Sequence, residues 1–185
     1  MLADWQRQFP GCEPVPHWLR TAFPDRWVRF HSLPGSKRYP HSDAEYAIIL
    51  DRHNRVMAEL TEAGNPVVLL SAGYSESTDP VRDEARWRAL DPDAIPWRTV
   101  VYDAADLLYW HVFASERKWA PGGFDPIVRL VADDVRANMM IVAPDCRWLL
   151  APYDGGMDLI LDSPLRRDQL NGLFSEWLSA RPDGL

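Results

Sequence analysis

The sequence predicts an α+β domain: a mostly antiparallel sheet of about six or seven strands, with three main helices packed on it. Three observations predict this. Stretches with helical apolar spacing are interspersed with short β-rich runs. The last three of those runs are separated by tight turns, which make a meander and leave no room for the crossovers of a doubly wound parallel sheet. The length of 185 residues suits one domain, and no internal repeat or low-complexity tract divides it.

The elements follow in order. Residues 1–25 are rich in proline and aromatics, and short helices over Ala3–Phe9 and Pro16–Phe23 are expected to pack on the domain. In Arg26–His31 the side chains of Trp27, Arg29 and His31 alternate with Val28 and Phe30, the pattern of an edge or half-buried strand. Ser42-Asp43-Ala44-Glu45 is a capping box, with Ser at the cap and Glu three residues on. Tyr46, Ile49, Leu50, Val56, Met57 and Leu60 then mark one face of a helix over about 43–62, with Gly64 as its C-terminal cap and Pro66 blocking continuation.

Pro66–Ser71 is a continuous apolar run, hence a buried strand. Residues 73–96 are polar and broken by prolines, with a short helix near Pro80–Ala89. Strands are expected at Trp97–Tyr102 and Leu107–Ser115. The second is apolar on both faces and so belongs at the centre of the sheet. Asp125 caps and Pro126 opens a helix ending near Arg136. Met139–Ala143, Arg147–Pro152 and Met157–Leu161 form the meander, turning at Pro144-Asp145-Cys146 and Asp154-Gly155-Gly156. A last helix starts at Ser163-Pro164 and stops at Pro182, with Leu170, Leu173, Phe174, Trp177 and Leu178 on one face.

Composition excludes several classes of function. A net charge of −7 and a pI of about 5.2 argue against nucleic acid as the main partner, because duplex binding needs a positive surface. No run approaches a membrane helix, and the N-terminus lacks the apolar core of a signal peptide. Cys12 and Cys146 sit far apart, outside any CxxC pattern, as reduced thiols of a cytoplasmic protein do. No nucleophile elbow, phosphate loop, dinucleotide fingerprint or HExxH is present, and no cofactor or metal is called for. Asp154 and Asp158 do not meet the ligand spacing of a calcium loop. Asp154-Gly155 reads as a plain turn, and Asp158, Ile160 and Asp162 as the solvent side of a strand.

Three polar groupings remain as candidate sites. Lys37, Arg38 and Tyr39 stand just ahead of the capped helix, with Arg29 before them and Arg52 inside the helix. Backbone donors, helix dipole and cations there point to an anion site, against the plainer reading that the cap is self-satisfied and the cations are solvated. His53 falls on the apolar face of that helix, either as a proton-transfer group or as a core histidine bonded to a carbonyl. Trp110 and His111, with Glu116 and Arg117 at the strand's end, form either a ligand rim or a packed core with a solvated charge run.

The segments Arg29–Tyr39, Arg52-His53-Asn54 and Pro152–Asp158 resemble those of small bacterial proteins grouped as a domain of unknown function. The resemblance covers the chain from about residue 18 to the end, implies a bacterial cytoplasmic protein, and carries no catalytic residue with it. In size, acidity and α+β make-up the chain is also similar to toxin-neutralising immunity proteins. Two functions follow as expectations. One is a non-catalytic binding protein that meets a protein partner through surface tryptophans. The other is an enzyme acting on a phosphorylated or carboxylated small molecule. In that case Arg29, Lys37, Arg38 and Arg52 would bind the charge, and His31, His53 or Glu116 would move protons.

Overall fold

The computed structural model describes residues 2–80, 89–181 and 184. The strands are β1 (Trp27–His31), β2 (Pro66–Ser75), β3 (Ile95–Asp103), β4 (Leu108–Lys118), β5 (Met139–Val142), β6 (Leu149–Tyr153) and β7 (Gly156–Ile160). The helices are α1 (Leu2–Gln8), α2 (Pro16–Ala22), α3 (Asp43–Leu60), α4 (Asp125–Ala132) and α5 (Pro164–Leu173). All seven strands lie in one sheet, in the order β1-β7-β6-β5-β2-β4-β3, and every neighbouring pair is antiparallel. The α+β class and the closing meander expected from the turns are therefore present. The helix expected near Pro80–Ala89 lies for the most part outside the described residues, as does Pro182.

Apolar side chains fill both faces of the sheet. Helices α3, α4 and α5 cover one face, burying Ile49, Val56, Met57, Val128 and Leu170 against Phe30, Leu69, Ile141 and Leu159. The other face is covered by the N-terminal segment, where Trp5, Phe9, Val15 and Leu19 pack on Leu70, Trp110, Met140 and Leu149. That segment is also pinned through polar bonds. The Trp5 indole donates to the Cys12 carbonyl at 2.9 Å, and the Trp110 indole donates to the Pro14 carbonyl at 3.1 Å. Residues 1–25 are thus a layer of the domain.

Several expectations are corrected. Strand β4 is the second strand from an edge, and β5 takes the centre, because the apolar run of β2 pairs with both. Helix α4 ends at Ala132, and Asp134 just beyond it adopts a left-handed conformation (φ 54°), which stops the helix short of Arg136. Phe124, not Asp125, is its N-cap residue, and the Asp125 carboxylate accepts from the Asn54 side chain instead. Thr61 rather than Gly64 ends α3. Helix α5 stops at Leu173, and a short 3-10 turn over Ser175–Trp177 carries Trp177 back onto the core. Asp158 and Ile160 do not face solvent: α2 lies over that end of the sheet, and they are 8% and 1% exposed.

Candidate functional site

Many of the polar residues singled out from the sequence hold the fold together. In α3, Arg52 donates to the His31 carbonyl at 2.7 Å and stacks its guanidinium on Trp177, fixing the end of β1. His53 is buried and its Nδ1 bonds the Ile49 carbonyl at 2.8 Å. Burial pushes its pKa down to about 4, so the ring is neutral near pH 7. The Asn54 amide donates to the Leu50 carbonyl and to Asp125, while its oxygen accepts from the Gly122 amide at 2.7 Å. The Arg-His-Asn run is therefore a bracket joining β1, α3 and the loop before α4.

The helix-end anion site is not formed. Ser42 accepts from the Glu45 amide, Glu45 accepts from the His41 amide, and Lys37 pairs with Glu45 at 2.5 Å. The Glu45 and His41 amides and the Lys37 ammonium are thus engaged within the segment itself, as the self-satisfied cap requires. On β4, Trp110 is fully buried, and His111 bonds Thr99 through Nδ1 and the Ser77 carbonyl through Nε2, both at 3.0 Å. Arg117 pairs with the buried Asp91 at 2.5 Å. Glu116 is exposed and stands apart from both candidate histidines, which are on β1 and α3. The tryptophans of the described residues are buried or half-buried, so the surface tryptophan patch expected of a partner-binding face does not appear among them.

The remaining candidates do converge. Arg29 and His31 of β1 and Arg38 of the following loop line one open cleft of about 450 Å³. His17 and Arg20 of α2 line it too, with Tyr153, Asp154 and Asp158 from the β6–β7 hairpin. The geometry follows from the hairpin's fit against β1. Gly156 sits opposite His31, and a Cβ there would lie 2.1 Å from the Phe30 carbonyl oxygen, so only glycine allows the approach. That close packing sets Asp154 and Asp158 under the three arginines.

Arg29 grips Asp158 with two parallel bonds of 2.7 and 2.8 Å, and the Trp27 indole donates to the same carboxylate at 3.0 Å. The Arg29 guanidinium also lies 4.4 Å over the Tyr153 ring. Burial pulls its pKa down, but the Asp158 carboxylate outweighs this and the net shift is upward. Asp158 is thereby saturated, and Arg20 reaches it only at 3.8 Å. Arg38 bonds Asp154 through Nε at 2.5 Å and leaves most of its guanidinium in solvent, its side chain being 63% exposed. Tyr39 leans on Arg38 and does not line the cleft.

Three arginines against two aspartates give the cleft a surplus of one positive charge, in a chain whose total is −7. Burial, then Arg29 and Arg52, pull His31 below the usual histidine range, and burial, then Arg20, do the same to His17. The His31 Nε2 is buried and makes no hydrogen bond. Burial pushes the Tyr153 phenol up to about 12, so it stays protonated. The cleft thus offers unspent guanidinium donors on Arg20 and Arg38 beside neutral imidazoles, a set suited to a carboxylate or phosphate. Arg20, His17 and Tyr153 were not legible as site residues, because tertiary packing brings them there: α2 carries His17 and Arg20, and the pairing of the β6–β7 hairpin with β1 carries Tyr153.

The cleft lies where two of the segments that carried the family resemblance meet, with Arg52 of the third bracing the His31 carbonyl from below. The chain belongs to DUF3885, a domain of unknown function. The match spans residues 15–182, from α2 through α5, so both sides of the cleft fall inside it. No curated protein and no solved structure matches the chain. Among the described residues no helix is long and apolar enough to cross a membrane.

Proposed function

We propose that this chain is a bacterial cytoplasmic binding protein whose cleft takes the carboxylate or phosphate of a small molecule. One observation carries the reading: Arg20 and Arg38 present unspent donors to one cleft, while the deeper Arg29–Asp158 pair holds its floor rigid. Preorganised guanidiniums bind oxyanions in pairs of parallel bonds, which gives both affinity and orientation. The buried, widely separated cysteines Cys12 and Cys146 fit a reducing compartment.

Thermal denaturation with inorganic phosphate, nucleotides and sugar acids tests the site. A ligand at ~100 times its dissociation constant stabilises by about 2.7 kcal/mol, a shift of a few degrees for a domain of this size. One anion should give that shift, and Arg38→Ala should remove it; the shift is read against the variant's own unliganded midpoint, because the substitution also takes the partner from the buried Asp154 carboxylate. No shift with any anion, or a shift that survives in both Arg38→Ala and Arg20→Ala, would overturn the reading.

A further inference from the structure

A second groove, of about 410 Å³, opens at the opposite end of β5, where the start of β3, the later part of β4 and the β5–β6 turn meet. Its floor is Val68 and Ala114, 7% and 9% exposed. Its walls are Ile95, Pro96, Trp97 and Pro144, and Ile95 stands 66% exposed. Trp97 is half-buried and braced edge-on by Trp5 at 5.6 Å, so its indole is held in place at the groove wall.

Among the described residues, Asp93 and Glu116 are the charged groups that line this groove, and both are exposed. Neither makes an ion pair among the described residues. Among the described residues, the arginines next to the groove in sequence are engaged elsewhere: Arg98 with Glu13 at 2.5 Å, Arg117 with Asp91 at 2.5 Å and Arg147 with Asp145 at 2.7 Å. Lys118, two residues along β4 from Glu116, does not line it. The groove therefore joins an apolar floor, an indole wall and two unneutralised carboxylates, whereas the arginine cleft has the opposite charge.

We propose that this groove binds an organic cation with an apolar body, such as a protonated aryl-alkyl amine. The apolar part rests on Val68, Ala114 and Ile95, and the ammonium sits between Asp93 and Glu116 beside the Trp97 ring. The volume suits a small molecule. An indole attracts an ammonium through its ring quadrupole, and the unpaired carboxylates add Coulomb attraction without breaking an existing pair. An anionic ligand would meet two carboxylates, which directs the two sites to different ligands.

The test compares 2-phenylethylamine with the isosteric neutral 2-phenylethanol, reading the Trp97 indole N–H by NMR together with the thermal midpoint. The amine should bind about tenfold tighter than the alcohol. Glu116→Gln with Asp93→Asn, both at exposed positions, should abolish that preference, and Arg38→Ala, in the other cleft, should leave the preference in place. Equal affinity for amine and alcohol, a preference that survives the double substitution, or no response of the Trp97 indole at saturating amine would each overturn the proposal.

Discussion

Lowering the pH from 7.5 to 4.5 should destabilise the protein through His53. The ring is buried in α3 and titrates in the folded chain near 4, against about 6.5 when unfolded. The unfolded state therefore takes up a proton first as the pH falls. His53 contributes its full stability above about 6.5 and loses it progressively down towards 4. The difference between the two states reaches about 2–3 kcal/mol at pH 4.5, a large fraction of a typical domain's stability. Urea denaturation at both pH values measures it. His53→Leu keeps an apolar group of similar size on the core face and should remove about 2 kcal/mol of the acid loss. His17 and His31 are also held low, so part of the acid sensitivity should remain in the variant. If wild type and variant lost equal stability between the two pH values, the buried neutral histidine would be wrong and a proton-transfer role for His53 would reopen.

Two substitutions test how the cleft is built. Asp158→Asn should cost about 3–5 kcal/mol in urea denaturation, because it leaves the half-buried Arg29 cation without its bidentate partner; Arg29→Met with Asp158→Leu should recover much of the loss, and a cost below about 1 kcal/mol would sink the argument. Gly156→Ala should destabilise by about 3 kcal/mol or more and disturb the β1–β7 pairing in amide NMR, since the added Cβ meets a backbone oxygen that no rotamer change can move; a neutral effect would mean that the hairpin does not approach β1 so closely.

The fold was legible because its signals are local. The Ser42–Glu45 box, the alternation in Trp27–His31 and the turn at Asp154-Gly155 each act within a few residues, and each element appears near its expected place. The candidate site was legible only in part. Arg29, His31 and Arg38 do share a cleft, but Lys37, Arg52 and His53 belong to the cap and the core, where their bonds are already made. Polarity in a sequence does not distinguish a group that is spent on its own fold from one left free for a ligand, because a spent group can be partnered locally, as Lys37 is by Glu45, or from far along the chain. Asp158 is 129 residues from Arg29, and Asp154 is 116 from Arg38.

From its own residues the chain determined an α+β meander, an acidic surface and a segment that caps its own helix. Tertiary structure alone decided which face each helix covers, and that α2 closes over Asp158 to complete the arginine cleft. The physical reason is that caps, turns and alternation are set by neighbours in sequence. Burial and ion pairing are set by neighbours in space, and those exist only once the sheet has closed.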